Sequence, residues 1–483
     1  MRRRILLAWS TATLAALATL AACATSDGEG ASLDPVPDGG STIVDDASPE
    51  EVDATSRPDA SAPVWSACND HGWCETELPD PKLTFIDVWP FVDRAFAVAE
   101  SDTLGTKVLE WTEATQAWSY IDDNSQNAYG GGQYAGKMYA PSENELYFTT
   151  APGIVYHGKR VDPSAAFTWE SARLPYEGPA YANRDPGRAW SVEVPNGTVT
   201  RYATALGVTG TSADDVYAWY GNRIFRRTSE GGGPPTWGSE FVTEDPSSTA
   251  DESFYIFNAS PASSDEIWFV GGHGPTDAVE GYKGCPTLFR RTPSGYSVVL
   301  EFTYASGSCA TKPGAIQPSV KLEIPGYGVF EIPWQTRGWA TAVAPVAPGA
   351  ALVIVGNALE WYYVDTASNV ARYNWVSGVR PPTGLLLPPL VHSVVRMDDR
   401  LWFSGHGIVF GSEIKPAAWN DGLGIGTPES FAQAGTGYGA LVEKTSVAMK
   451  GRYLDEPLYQ VRGTSAKNLW AVGNRYALHK KTP

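Results

Sequence analysis

The chain has 483 residues, 54 acidic against 36 basic side chains, a formal net charge of −18, and 12% aromatics that include 18 tryptophans. Nucleic acid is excluded as a partner, because no basic cluster interleaved with aromatics offers a phosphate-neutralising surface. The same acidity excludes an electrostatic hold on anionic lipid.

The first residues form a separate module. Arg2-Arg3-Arg4 leads an Ala/Leu-rich stretch from Ile5 to Leu20, followed by Leu20-Ala21-Ala22-Cys23. A basic start, a short apolar run and small residues before the cut describe a secretory signal over 1–22. A cysteine directly after Leu-Ala-Ala is similar to the bacterial lipoprotein box. That resemblance implies cleavage before Cys23 and acylation of its thiol and new amine, so the membrane partner is reached through lipid on Cys23. The competing reading is an uncleaved anchor, since the apolar stretch approaches the lower length limit for spanning. Ala24 after the lipid resembles an outer-membrane destination. Without Arg2, Arg3 and Arg4 the balance is 33 basic to 54 acidic residues, a net −21. Residues 24–64 hold ten acidic residues, Arg57 as the one base, and no aromatic. Such a stretch cannot bury a core and reads as a disordered tether, with a reach on the order of 35 Å.

From residue 65 onward an aromatic-centred phrase recurs. Gly210-Thr-Ser-Ala-Asp-Asp-Val-Tyr217-Ala returns as Gly463-Thr-Ser-Ala-Lys-Asn-Leu-Trp470-Ala, with weaker copies centred on Phe96, Tyr147, Trp268, Val353 and Trp402. The seven centres lie 51, 70, 51, 85, 49 and 68 residues apart. Intervals near 50 suit one four-stranded propeller blade, and longer ones imply inserts. A second aromatic follows most copies: Trp118, Trp169, Trp237, Tyr296, Trp375 and Trp419. Two strands and a turn fill such a gap, so each unit is expected to run strand, aromatic strand, strand, tryptophan strand. Pro195-Asn196-Gly197-Thr198 between two alternating runs signals a further hairpin. No sustained helical period occurs beyond the N-terminus, so the fold class is all-β.

The last copy is incomplete, with 13 residues after Trp470. The missing outer strand is expected at the other end, because Trp73-Cys-Glu-Thr-Glu-Leu78-Pro79 shares Trp-x4-Leu-Pro with Trp169-Glu-Ser-Ala-Arg-Leu174-Pro175. Pairing 65–79 with the C-terminal strand would close a seven-bladed ring and remove free edges. On the Thr-Ser-Ala-x-Asn/Asp-Leu/Val-Trp/Tyr-Ala phrase and the Gly72-Trp73-Cys74 to Leu78-Pro79 segment, residues 65–483 resemble the seven-bladed β-propeller lipoproteins of Gram-negative bacteria. The resemblance implies a fold and a place in the envelope, not an activity.

Four cysteines remain after Cys23: Cys68, Cys74, Cys285 and Cys309. In an exported chain they read as two disulfides, with three pairings open; the local solution, Cys68–Cys74 and Cys285–Cys309, is the easiest to close. A metal site is the competing reading, but no histidine of zinc spacing surrounds them, and no metal or cofactor is expected. The best hint of a ligand face lies in turns expected after the aromatic strand, at His273 and His406 in Gly-His-Gly and at Arg223 and Arg475 in Asn-Arg. Repeat-encoded turn structure is the competing reading for all four. Gly435-Thr-Gly437-Tyr-Gly-Ala440 lacks the strand and helix of a dinucleotide loop, Ser412-Glu-Ile-Lys415 lacks companion motifs, and Asp122-Asp123-Asn124 lacks an EF-hand pattern. No catalytic residue is assigned. The expected function is a monomeric, membrane-tethered scaffold binding protein, peptide or glycan. The alternative is a polysaccharide hydrolase or lyase with carboxylates converging on a central channel, and a purely structural envelope component is the third reading.

Overall fold

The computed structural model describes residues 68–481 except 70–71, 131, 133, 177–187, 194–198, 230–232, 244–251, 276–283, 306–307, 325–326, 335–337, 356–359, 376–390, 415, 417–441, 447, 450–451 and 455. Cys23, the tether, His71, Trp419 and the 435–440 glycine loop therefore lie outside the described residues.

The fold is a seven-bladed β-propeller of antiparallel blades. Blade 1 comprises Thr84–Pro90, Arg94–Ser101, Gly105–Thr112 and Trp118–Tyr120. Blade 2 comprises Ala135–Ser142, Glu145–Thr150, Ile154–Lys159 and Thr168–Arg173. Blade 3 comprises Leu206–Ser212, Asp215–Tyr220, Arg223–Thr228 and Thr236–Val242. Blade 4 comprises Glu252–Ser263, Glu266–Pro275, Cys285–Thr292 and Gly295–Leu300. Blade 5 comprises Ala340–Ala347, Ala350–Val355, Glu360–Asp365 and Val370–Trp375. Blade 6 comprises Val391–Met397, Arg400–Gly405, Ile408–Glu413 and Val442–Ser446. Blade 7 comprises Leu458–Ser465, Asn468–Gly473, Tyr476–Lys480 and, from the other chain end, Trp73–Glu75. The first strand of each blade in the chain is innermost, and the seven innermost strands pack side by side in a closed circuit.

The repeated phrase is explained by burial on both faces of the second strand. In blade 4, Ile267 and Phe269 pack against Tyr217 and Trp219 of blade 3, while Trp268 and Val270 pack against Val343 and Val353 of blade 5. Successive side chains point to opposite faces, so a strand between two blades must be apolar at every step. The marker residue always faces the next blade: Tyr147 meets Leu206 and Val208, and Trp402 meets Leu469 and Ala471.

Blade 5 departs from the expected frame by one residue. Pairing with Ala344 places Leu352, not Val353, at the marker position, and Val353 instead faces back toward blade 4. A one-residue slip turns a side chain to the other face, and an all-aliphatic strand gives no aromatic to fix the frame. Trp375 likewise ends its strand, where Ala371 holds the position of Trp169 in blade 2. In blade 6 the outer strand is Val442–Ser446, so Trp419 is not its marker.

The ring closes through the two chain ends. Trp73 pairs with Lys480, Cys74 with His479 and Glu75 with Leu478. Trp73 thus holds the place of Trp169, which pairs with Gly158 on the third strand of blade 2. Thr76 extends the seam: its hydroxyl donates to Ala477 O at 2.7 Å and accepts from Trp118 Nε1 of blade 1 at 2.9 Å. Disulfides join Cys68 to Cys74 beside this strand and Cys285 to Cys309 in the long insert. That insert folds as two hairpins. Phe302–Ala305 with Ser308–Thr311 carries Cys309, and Pro318–Ile324 with Gly328–Pro333 extends blade 5 to six strands by parallel pairing to its outer strand. A further hairpin pairs Arg188–Glu193 with Val199–Thr204 around the expected Asn-Gly turn, whose residues lie outside the described set.

Candidate functional site: the axial pocket

Six of the seven innermost strands carry an irregularity at one level, between Phe85 and Asp87, Ala135 and Met138, Ile256 and Asn258, Ala340 and Ala342, Val391 and Ser393, and Leu458 and Gln460. An extra residue bends the strand and re-aims its neighbour. The residue after the irregularity is polar in four blades, Asp87, Asn258, Ser393 and Gln460, and in blade 2 the polar Lys137 lies within it. Together they form a polar girdle around the axis.

Asp87 is the centre of this girdle and is fully buried. Its Oδ1 accepts the Val88 N–H at 2.9 Å. Its Oδ2 accepts the Met138 N–H of blade 2 at 3.0 Å and Arg462 Nη2 of blade 7 at 3.2 Å. Lys137 reaches across blade 1, donating to Gln460 Oε1 at 2.7 Å and Ile86 O at 3.3 Å. Ser393 Oγ accepts the Val461 N–H at 2.8 Å. Buried polar atoms are satisfied here by the neighbouring blade, which fixes blade position around the axis.

Above the girdle, toward the C-terminal ends of the innermost strands, opens a cavity of about 620 Å³. Its walls come from blades 1, 3, 4, 5, 6 and 7, with Trp89, Ser260, Pro261, Pro345, Arg396 and Arg462 prominent. The Arg462 guanidinium lies 4.4 Å from the Trp89 ring centroid, and Trp89 meets Tyr139 edge-on at 5.1 Å. Burial lowers the proton affinity of Arg462, and Asp87 opposes that shift. Arg396 is held by backbone carbonyls, Nε on Asp398 O at 3.1 Å and Nη1 on Val346 O at 2.6 Å. The wall carboxylate Glu266 is engaged by Arg290 Nε at 3.0 Å and by the Gly349 N–H at 3.1 and 3.2 Å. At the far end of the axis, Ala205, Tyr255, Phe257 and Trp339 pack into an apolar cluster.

The four residues expected to mark a ligand face lie at the opposite end of the blades from this pocket. Second strands run antiparallel to the innermost ones, so they start beside the pocket and finish away from it. His406 follows its strand and precedes Gly407, whose N–H donates to Glu456 O at 3.0 Å. Arg475 has a left-handed φ of 62°, its N–H donates to Leu83 O at 2.9 Å, and its guanidinium is 3.7 Å from Glu456. Arg223 begins the third strand of blade 3, 5.4 Å from the Tyr176 ring. The beside-lying Asn222 is buried, with Tyr176 Oη donating to its Oδ1 at 3.4 Å.

His273 is not in a turn. It lies within the long strand Glu266–Pro275, pairs with Phe254 and Cys285, and is 1% exposed. The flanking glycines are required for packing rather than for turning. A Cβ on Gly272 would fall 2.0 Å from the Trp339 ring, and one on Gly271 2.0 Å from Tyr255 O. The girdle and Arg462 escaped the motif reading. The one signal for them is a polar residue nine or ten positions before the marker, as Asp87 precedes Phe96 and Gln460 precedes Trp470.

Other histidines pack against aromatics of the scaffold, two of them against markers. His157 stacks on Tyr147 at 4.2 Å and contacts Glu145 at 2.7 Å and Glu170 at 2.8 Å. Burial raises the Glu145 pKa, but bonds from His157 and Tyr147 and the nearby Lys159 outweigh it and hold the group at about 2. His479 stacks on Trp470 at 4.1 Å and burial, aided by Lys481, depresses it to about 3. His392 meets Tyr459 edge-on at 5.4 Å. Asp122 accepts from Lys107 Nζ at 3.0 Å and the Val108 N–H at 3.0 Å, so it closes a turn. Ser412 is buried in a blade 6 strand, and Lys415 lies outside the described residues. Among the described residues no group of three or more His, Cys, Asp and Glu is placed to hold a metal ion.

No protein-family model matches the chain, and no curated protein matches it. Solved structures do. A catalytically inactive virginiamycin B lyase from Staphylococcus aureus with quinupristin is 12% identical at a TM-score of 0.47, covering 85% of this chain and 99% of that one. YCF48 from Cyanidioschyzon merolae is 10% identical at a TM-score of 0.47, covering 85% and 99%. Saccharomyces cerevisiae Sqt1 is 9% identical at a TM-score of 0.41, covering 86% and 99%. At these identities the likeness concerns the fold alone.

Proposed function

We propose that this chain is an envelope binding protein: a closed propeller, tethered by lipid on Cys23, that takes its ligand in the axial pocket. The observation that carries the binding reading is the state of two carboxylates, Glu266 on the pocket wall and Asp87 buried beneath it. Asp87 is committed to two backbone N–H groups and Arg462, and Glu266 to Arg290 and Gly349. The alternative of a hydrolase or lyase with carboxylates converging on the channel needs a carboxyl group within reach of substrate, whereas these two serve the scaffold. A pre-formed concave site that combines apolar surface with fixed polar groups is a form that ligand sites take. The export half of the reading rests on the Leu20-Ala21-Ala22-Cys23 sequence and on two disulfides, which suit an oxidising compartment. No helix among the described residues is long and apolar enough to cross a membrane.

Two experiments test the proposal. Cys23→Ser is expected to move the protein from the membrane to the soluble fraction; unchanged membrane retention would refute the lipid tether. Immobilised protein is expected to capture a saturable partner from envelope and culture fractions, and Ser260→Trp, which fills the pocket, is expected to abolish that capture. Equal capture by Ser260→Trp would refute the pocket.

A further inference from the structure

Resting on the reading of the axial pocket as the binding site, we propose that it takes a peptide by its free C-terminal carboxylate, with Arg462 as the anchor and Arg396 as a second cation. The argument starts from charge. In a chain of net −18, the charged residues on the pocket wall are Glu266, Arg396 and Arg462, and Glu266 is already neutralised by Arg290 at 3.0 Å. Arg462 is likewise paired with Asp87 beneath the wall, so Arg396 leaves the pocket one net positive charge, in contrast to the acidic chain around it.

Arg462 is also built to receive an anion. Its side chain is only 17% exposed, yet it makes one ion pair, from Nη2 to the fully buried Asp87 at 3.2 Å. Trp89 covers the guanidinium plane at 4.4 Å, so the group is held in position from one edge and one face. Nε and Nη1 donate to no acceptor among the described residues. A guanidinium fixed in this way presents parallel donors matched to a carboxylate. Arg396, anchored through two backbone carbonyls, keeps Nη2 for the same ligand.

The walls favour a peptide over an acidic sugar. Sugars bind by stacking on an open aromatic face and by many hydrogen bonds to hydroxyls. Here the wall tryptophan has one face covered by Arg462 and meets Tyr139 edge-on, while Asn258 and Gln460 are engaged by backbone or Lys137. What remains open beside the cations is mixed, with Pro261, Ala262, Ala347 and Pro348 next to the small hydroxyls of Thr209, Ser260 and Ser263. A terminal carboxylate followed by backbone amides and small apolar side chains fits that mixed surface, and about 620 Å³ accommodates the last few residues of a chain.

The test uses the full-length protein in detergent and a dye-labelled mixed-sequence tetrapeptide library, prepared as free acids and as C-terminal amides, with oligogalacturonate as a third probe. Retention of the acid library above the amide library is expected, with Arg462→Ala lowering acid retention by at least about 30-fold and Arg462→Lys by less, since losing one partner of a desolvated charge pair costs at least about 2 kcal/mol. Thermal melting of each variant separates binding loss from misfolding. Equal retention of acids and amides, both lost in Ser260→Trp, would overturn the carboxylate assignment while leaving the pocket as a binding site. Retention of oligogalacturonate without peptide would overturn the peptide assignment. If nothing is retained, or if retention survives Ser260→Trp, the pocket reading falls as well.

Discussion

Replacing Trp73 with alanine should open the ring. Trp73 is fully buried and packs with Met397, Trp402 and Val409 of blade 6 and Leu458, Leu469 and Leu478 of blade 7. A buried tryptophan removes on the order of 200 Å² from water, which at about 25 cal/mol per Å² corresponds to about 5 kcal/mol. Because alanine keeps part of that area while a cavity remains, the expected loss is about 3–5 kcal/mol. The indole Nε1 has no hydrogen-bond partner among the described residues, so Trp73→Phe removes only packing and should cost about 1–2 kcal/mol. Val161→Ala, at an 89% exposed site, is the control and should stay within about 0.5 kcal/mol. Urea unfolding of the oxidised protein, followed by tryptophan fluorescence and far-UV circular dichroism together, measures all three. A Trp73→Ala loss no larger than the control would mean that blade 7 stands on three strands and that the chain ends do not close the ring.

Three further outcomes are expected. Removing Cys285–Cys309, which closes a loop with a sequence separation of 24, should cost about 3 kcal/mol, against about 2 for Cys68–Cys74 with its separation of 6; equal midpoint shifts in paired serine variants would contradict this. His479 is held neutral, with a folded pKa of about 3 below the ordinary 6.5, so its contribution is complete above pH 6.5 and is lost as pH falls from there toward 3. The loss is on the order of 5 kcal/mol; His479→Asn should flatten the fall of the urea midpoint across that window, and an unchanged slope would rule it out. Asp87→Ala should cost about 3–5 kcal/mol, because it leaves Arg462 buried and unpaired and frees two N–H groups; a loss under about 1 kcal/mol would show that the girdle does not set blade position.

The architecture was legible because packing dictates it strand by strand. Every second strand is clamped between two blades, so Ile267-Trp268-Phe269 and Leu401-Trp402-Phe403 had to be apolar at each step. The Trp-x4-Leu-Pro match located the closing strand because Trp73 and Trp169 fill the same position. Where aromatics gave way to aliphatics, at Leu352 and Val353, the frame was lost by one residue. Gly271-Gly272-His273-Gly274 looked like a turn because glycine serves both turns and close packing, and only the Trp339 indole distinguishes the two. The pocket was hidden for a different reason. Girdle residues share polarity but not identity, Asp87, Lys137, Asn258, Ser393 and Gln460 each bonding to a different neighbour. A repeat search therefore finds what the blades have in common and passes over what makes each one different.

The central claim is that the ligand enters at the C-terminal ends of the innermost strands. Amide hydrogen exchange of the intact protein, with and without its captured partner, tests this directly. Slowed exchange is predicted at 258–263, 394–397 and 460–463, beside Arg396 and Arg462. Protection confined instead to the turns at 221–223, 406–407 and 474–475 would place the ligand on the opposite face and contradict the account.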